Sequence, residues 1–246
     1  MTQSHDLVVV GGGPAGYAAA LYGAAAGLDV GLVEEHRIGG TCLHVGCIPT
    51  KALLHAAEVA DSARDSERFG IRASLEGIDM AGVNAYKDGV VARLFKGLSG
   101  LVKGRGITVI EGAGTMTGPR EVTVDGTAYT GAHLVLASGS YSRSLPGLEV
   151  DGEKVLTSEH ALRLERVPSS VVVLGGGVIG SEFASVWRSF GADVTIVEAL
   201  PRLVAAEDAA SSKALERAFR KRGIGFRTST RFSSVEHTDS GVAVTV

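Results

Sequence analysis

Cys42 and Cys47 are the two cysteines of the 246-residue chain, and they stand five residues apart in the run Gly39-Gly40-Thr41-Cys42-Leu43-His44-Val45-Gly46-Cys47-Ile48-Pro49-Thr50-Lys51. Pro49 suits the first turn of a helix, which puts Cys47 near a helix N-terminus, a setting that favours a thiolate. Cys42 falls in a glycine-bracketed turn flexible enough to bring the two sulfurs together as a redox-active disulfide. Two blander readings of the same residues remain open. The pair could be inert buried thiols, or Cys42, His44 and Cys47 could be zinc ligands, for which a fourth ligand is missing. Two cysteines cannot staple a secreted domain of this size, so a reducing compartment is expected.

The second chemical signal is a glycine pattern that occurs twice. Gly11-x-Gly13-x-x-Gly16 follows an apolar β-branched run and opens an Ala-rich helical stretch, and Glu34 closes the next apolar run. Such a turn binds a dinucleotide: one glycine allows the turn, one lets backbone approach the pyrophosphate, and one lets helix pack on strand. The helix N-terminus then receives the phosphates, and the acid accepts hydrogen bonds from the ribose. A shift of 164 residues lays Val8–Glu34 on Val172–Glu198 without a gap, with 12 of 27 positions identical. Gly175-x-Gly177-x-x-Gly180 with Glu198 meets the same tests independently. Two nucleotide sites in one chain predict two cofactors. A carboxylate at position 198 would repel a 2′-phosphate, which favours NAD over NADP.

Elements of these kinds must position the chemistry. Strands are expected at Leu7–Val10, Val30–Val33, Val171–Leu174 and Val194–Val197, with a helix after each glycine turn. Helices are also expected at Lys51–Arg68, Met80–Val102 and Asp208–Arg222. The short runs Ile107–Ile110, Val122–Val124 and Leu134–Ala137 predict a small antiparallel excursion. Ser140–Ser170 reads as a connector, and Phe226–Val246 as short strands. The run Val242–Val246 ends the chain with no visible partner following it, as if a longer protein had been cut there. The fold class is α/β: two Rossmann-like dinucleotide-binding domains, residues 1–145 and 146–246, the second incomplete at its C-terminus.

Composition narrows the function classes. The 34 glycines are roughly double the ordinary usage of about 7% and follow no collagen-like period. A net charge of −3 and a pI near 6.2 offer no broad basic field for nucleic acid or anionic lipid. Lys213, Arg217, Arg220, Lys221 and Arg222 alternate with apolar residues as the wet side of an amphipathic helix. Leu7–Leu28 carries no charge over 22 residues, yet its glycines and Pro14 break an apolar helix, so no membrane or targeting segment is read and a cytoplasmic location is expected.

With these residues in place, the chain resembles the N-terminal portion of the flavoprotein disulfide reductases. The block G-G-T-C-x-x-x-G-C-x-P-x-K carries the resemblance, together with Ala137-Ser138-Gly139-Ser140 and Gly175-Gly176-Gly177-Val178-Ile179-Gly180-Ser181-Glu182. Leu43, Ile48 and Ala52-Leu53-Leu54 lean towards its dihydrolipoyl dehydrogenase branch. The resemblance implies FAD on Gly11, Gly13, Pro14, Ala15 and Gly16, with Glu34, Glu35, Gly40, Thr41, Gly46, Lys51, Ala113, Gly114, Ser138, Gly139 and Ser140 contributing. It implies NAD on Gly175, Gly177, Val178, Ile179, Gly180 and Glu198, and a pairing of Glu182 with Lys51. Cys42 matches the outer thiol that exchanges with substrate, and Cys47 the inner thiol beside the flavin. No metal is implied.

By the same resemblance the function is oxidation of a dihydrolipoyl group to a disulfide, with electrons passing through Cys42–Cys47 and FAD to NAD+ as part of cell redox homeostasis. The implied partners are a lipoyl domain of a 2-oxo acid dehydrogenase complex and a second copy of the full-length chain. Another disulfide reductase, or a non-catalytic nucleotide-binding fragment with redox-sensing cysteines, are the competing readings. His44, Thr50 and Ser138 depart from the commoner asparagine, serine and threonine of the family. His44 is a candidate base beside the cysteines, although the family's base belongs to a C-terminal dimerisation domain absent from this sequence.

Overall fold

A computed structural model describes residues 2–246. The described residues divide into two compact units, 2–49 with 88–141 and 50–87 with 142–246.

The first unit is built on β1 (Thr2–Val10), α1 (Pro14–Ala25), β2 (Val30–Glu34), α2 (Gly40–His44), the start of α3 (Cys47–Arg64) and the later part of α4 (Met80–Gly104). Four strands follow: β3 (Thr108–Glu111), β4 (Thr115–Gly118), β5 (Glu121–Val124) and β6 (Thr127–Leu136). They form one sheet of order β3-β2-β1-β6-β5-β4. β3, β2, β1 and β6 run parallel, and β5 and β4 continue antiparallel at one side. The two central strands are buried on both faces over Leu7–Val9 of β1 and Val30–Val33 of β2, and those runs are accordingly rich in valine and leucine. Leu7, Val9, Val30 and Leu32 pack with Ala20, Val102 and Ile107 on one face. Val8 and Val33 pack with Ile110, Val122 and Val124 on the other.

This corrects the expected antiparallel excursion. β4, β5 and the first part of β6 form it; residues 108–110 lie in β3 and 134–136 in the later part of β6, and these extend the parallel sheet on opposite sides. The order of the parallel strands therefore reverses between β1 and β6, and that switch point opens a crevice at their carboxyl ends, where α/β sheets bind ligands.

The second unit holds α5 (Ser158–Ala161), β7 (Ser170–Leu174), α6 (Val178–Phe190), β8 (Asp193–Val197), α7 (Ala209–Lys221), β9 (Gly225–Arg227), β10 (Ser234–Thr238) and β11 (Gly241–Thr245). β7-β8-β9 is a parallel sheet, and β10 and β11 form a separate antiparallel pair. The short strands expected within 226–246 include this pair, in which Val242–Thr245 of β11 lie against β10. The helix α6 buries Phe183, Ala184, Val186, Trp187 and Phe190, with the last two rings in edge contact at 6.0 Å. In the connector, the N–H groups of Glu153, Val155 and Lys154 donate to the Asp151 carboxylate and hold its pKa below the usual range.

Asp61 on α3 ties three elements of this unit together. Its Oδ2 accepts from Ser189 Oγ at 2.6 Å and Arg222 Nη2 at 3.3 Å, while Arg222 Nη1 donates to Ser185 Oγ at 2.5 Å. Asp61→Ala should destabilise the chain by about 1–3 kcal/mol, because it leaves a half-buried guanidinium and a buried hydroxyl short of an acceptor. Urea unfolding would measure it; a change within about 0.5 kcal/mol would make the network a surface ornament. Among the described residues, no helix is long and apolar enough to cross a membrane.

Candidate functional site

The unit 1 glycine turn is shaped by contacts that admit no side chain. A Cβ on Gly16 would lie 1.6 Å from the Gly11 carbonyl oxygen, and one on Gly11 would lie 2.2 Å from the Ala137 oxygen. These glycines let α1 start directly against β1 and β6. Gly13 differs: its φ of −68° is ordinary, and a Cβ there would meet nothing closer than 3.9 Å. Packing does not explain a glycine at 13, whereas close approach by a ligand to the N-terminus of α1 does. That opening is the fit expected for a dinucleotide.

The other residues expected around the flavin converge on the same end of the sheet. Gly39 N–H donates to Gly12 O at 2.8 Å, so the loop carrying Gly40 and Thr41 lies against the turn. A Cβ on Gly40 would stand 2.7 Å from the Gly13 Cα. Gly112 N–H donates to Glu34 O at 3.0 Å, placing Ala113 and Gly114 just beyond β2, and Ser138–Ser140 leave the end of β6 beside β1. Pro14 and Ala15 are exposed on the first turn of α1, and Glu35 is exposed beyond β2.

Glu34 shows a contact that its motif does not announce. Its Oε2 accepts from Gly12 N–H at 2.6 Å and its Oε1 from His36 N–H at 2.9 Å. The acid therefore fixes the middle glycine of the turn, and any ribose contact must share a carboxylate that is already bonded.

The second turn reproduces this chemistry. Glu198 Oε2 accepts from Gly176 N–H at 2.6 Å, and Oε1 from Leu200 N–H at 2.7 Å. A Cβ on Gly180 would lie 2.0 Å from the Gly175 oxygen, while at Gly177 it would meet nothing within 4 Å. Val178 and Ile179 open α6 and are 52% and 61% exposed, unusual for such apolar residues and suited to a covering ligand. One turn further on, Glu182 Oε1 accepts from Lys51 Nζ at 2.5 Å. The expected acid–lysine pair is formed within the second unit.

The cysteines sit on two consecutive helices. Cys42 is the third residue of α2, a short helix rather than the flexible turn expected, and is half-buried. Cys47 is the first residue of α3 and is exposed. Gly46 brings these segments together: a Cβ there would press to 2.9 Å from the Thr41 oxygen and 3.4 Å from the Cys42 Cα. His44 is engaged elsewhere. Its Nε2–H donates to the Ile38 carbonyl at 2.9 Å, and its ring meets Phe95 edge-on at 5.3 Å. That bond fixes the ring with its proton on Nε2 and leaves Nδ1 as the nitrogen with a free lone pair. No group of three or more potential metal ligands forms among the described residues.

Comparison with known proteins agrees with a paired-turn scaffold carrying a cysteine pair. A family model described as pyridine nucleotide-disulphide oxidoreductase matches residues 5–246. The chain belongs to that family. Among curated relatives, the dihydrolipoyl dehydrogenase of Chlorobaculum tepidum is 42% identical over 248 residues, which cover 99% of this chain and 53% of that protein. A leghemoglobin reductase of Vigna unguiculata is 39% identical over 252 residues, covering 100% of this chain and 48% of that protein. The solved structure of LpdA from Mycobacterium tuberculosis matches with a TM-score of 0.87 at 28% identity, covering 99% of this chain and 55% of that one. This member of the pyridine nucleotide-disulphide oxidoreductases spans about half the length of the curated relatives it matches. The family uses FAD together with NAD or NADP.

Signals missed in the sequence lie in the loop after β8. Leu203 is fully buried, Val204 N–H donates to Gly176 O at 2.7 Å, and Val204 has a φ of +43°. Nothing in the residue types of that loop marks either contact.

Proposed function

We propose that this chain provides the flavin site, the redox-active cysteines and the nicotinamide dinucleotide site of a dihydrolipoyl dehydrogenase. The observation that carries this reading is the duplicated turn, the same carboxylate-to-glycine bond at Glu34 and Glu198, in a chain where Cys47 opens α3 against the Cys42 segment. The first turn would hold FAD through Gly11, Gly13 and Gly16 and the N-terminus of α1, with Thr41 and Ser138–Ser140 at its rim. The second would hold NAD through Gly175, Gly177, Val178 and Ile179. FAD bound there supplies a two-electron carrier between a dithiol and a nicotinamide dinucleotide.

The protein's own part is thiol exchange. A substrate thiolate attacks the Cys42 sulfur of the Cys42–Cys47 disulfide, forming a substrate–Cys42 bond and releasing Cys47 as thiolate. The second substrate thiol then attacks its own mixed disulfide, closing the substrate ring and freeing Cys42. Two electrons and two protons leave the dithiol, and the cysteine pair is reduced. The N-terminus of α3 stabilises the released Cys47 thiolate. Lys51 and Glu182 form a salt bridge one helical turn beyond Cys47 along α3, and we assign that pair to the nicotinamide side. The partner read from the resemblance is a lipoyl domain of a 2-oxo acid dehydrogenase complex, met by a homodimer of the whole protein in a reducing compartment such as the cytoplasm.

The test combines a visible spectrum with anaerobic NADH titration and thiol counting. Bound flavin and two thiols that become alkylatable only after NADH are expected, with dihydrolipoamide outperforming glutathione as the thiol substrate. Equal alkylation before and after NADH would leave the sensor reading in its place, and preference for glutathione would move the protein to another reductase branch.

Glu198 should set coenzyme choice. Glu198→Arg should cut the NADH-over-NADPH preference in kcat/KM by at least about tenfold, which is about 1.4 kcal/mol, because the repulsive carboxylate is gone. It should also loosen the turn, since each charge-assisted bond contributes about 1.5–3 kcal/mol. An unchanged preference would place selectivity elsewhere.

A further inference from the structure

Cys42 rides on a single helical turn that cannot stand alone. α2 spans Gly40–His44, and five residues are far fewer than an isolated helix needs in water. Its place is set by the contacts that tie it down. Leu43 is buried against Gly39, where a Cβ would fall 2.3 Å from Leu43 Cδ2. Apolar contact of that kind has no direction. His44 supplies direction: its Nε2–H donates to the Ile38 carbonyl at 2.9 Å, and its ring stands edge-on to Phe95 with the planes at 67°.

Both anchors are themselves fixed. Ile38 packs against the core cluster that contains Leu7, Val9, Val30 and Leu32. Phe95 lies on α4, about one turn before Leu98, which packs on the same cluster, and about two turns before Val102, which is buried within it. The imidazole therefore joins the turn that carries Cys42 to two segments seated in the core of the first unit. Its Nε2–H is present whether or not the ring carries a second proton. Once the disulfide opens, the covalent tether between the two cysteines is the four-residue backbone Leu43–Gly46.

We infer that His44 is a positioning residue for the cysteine pair, holding the Cys42 turn in place while the disulfide is open so that the pair closes again. This rests on the reading of Cys42 and Cys47 as the redox-active pair. A loose α2 would gain conformational freedom when the disulfide opens, and closing would have to remove it. A turn already held by His44 gains less on opening, so the anchor favours the disulfide over the dithiol and raises the effective concentration of one sulfur at the other.

The whole protein, equilibrated with dithiothreitol at a series of reduced-to-oxidised ratios, alkylated and weighed, gives the test. The exchange oxidises dithiothreitol to its cyclic disulfide and reduces the cysteine pair to two thiols, so its equilibrium constant needs no nicotinamide. His44→Ala should shift that constant towards the dithiol by at least about fivefold, with flavin content unchanged. His44→Gln keeps an N–H at similar reach without a base, and should return the constant to within about twofold of the unsubstituted value. Phe95→Leu, which removes the ring contact alone, should fall between, at twofold or more. An unchanged constant in His44→Ala, or a shift towards the disulfide, would overturn the inference. A glutamine variant displaced as far as alanine would overturn it too, and would favour His44 as a base. Should His44→Ala fail to fold, Phe95→Leu decides, and no shift there overturns the inference. Cysteines that form no disulfide at any ratio in the unsubstituted protein would instead overturn the reading of the pair, and the inference with it.

Discussion

Serine at position 42 or 47 should lower dithiol-linked turnover by at least about a thousandfold, about 4 kcal/mol in the barrier, with FAD still bound. The substitution changes one atom and little volume. Cys42 and Cys47 lie on α2 and at the start of α3, whereas the glycines proposed for FAD lie at the ends of β1 and β6. Binding and exchange are therefore separable. With either cysteine replaced there is no disulfide for a dithiol to attack. With Cys47 replaced, half-buried Cys42 should stay a thiol and be alkylated alike before and after NADH. With Cys42 replaced, exposed Cys47 should remain open to alkylation in every redox state. Full turnover in either variant would remove the pair from the chemistry, and joint loss of flavin would show that the effect was structural.

The repeat was the most legible feature of this chain because its chemistry is local. Turn, helix and closing acid lie within 27 consecutive residues, and glycine at a tight approach leaves few alternatives. The bond from Gly12 to Glu34 recurs from Gly176 to Glu198, the same 164-residue shift read from letters alone. Pairing between distant segments was less legible. β1 starts at Thr2, well before the apolar run at 7–10, because Thr2–His5 pair with Ala128–Gly131 of β6 and not because their side chains favour burial. β6 hid for the same reason: Thr127, Thr130, Gly131 and His133 interrupt its alternation, and its partner lies more than a hundred residues upstream. The α2 helix escaped because five residues are too few for a periodic signal. Val204 escaped because no residue type advertises a conformation that it disfavours.

Alanine at the two kinds of glycine should separate folding from ligand binding. Gly16→Ala drives a methyl to 1.6 Å from the Gly11 oxygen, and Gly180→Ala drives one to 2.0 Å from the Gly175 oxygen. Neither neighbour is a side chain that can swing away. The helix must shift off its strand, at a cost of about 1–3 kcal/mol or more. Gly16→Ala should lower the melting temperature and lose most of the flavin, and Gly180→Ala should keep flavin while losing NADH. Gly13→Ala and Gly177→Ala behave otherwise. Their φ angles of −68° and −72° suit any residue, and the added methyl meets no atom closer than 3.9 Å at 13 and none within 4 Å at 177. Stability of the ligand-free chain should therefore change by no more than about 0.5 kcal/mol. Affinity should fall by tenfold or more, for FAD in the first and for NADH in the second, since the methyl occupies the space through which backbone would meet phosphate. Thermal melts of stripped protein and titration with each dinucleotide give the two numbers for each variant. If Gly13→Ala and Gly177→Ala bound both cofactors normally, the open space at these turns would need another explanation than a ligand.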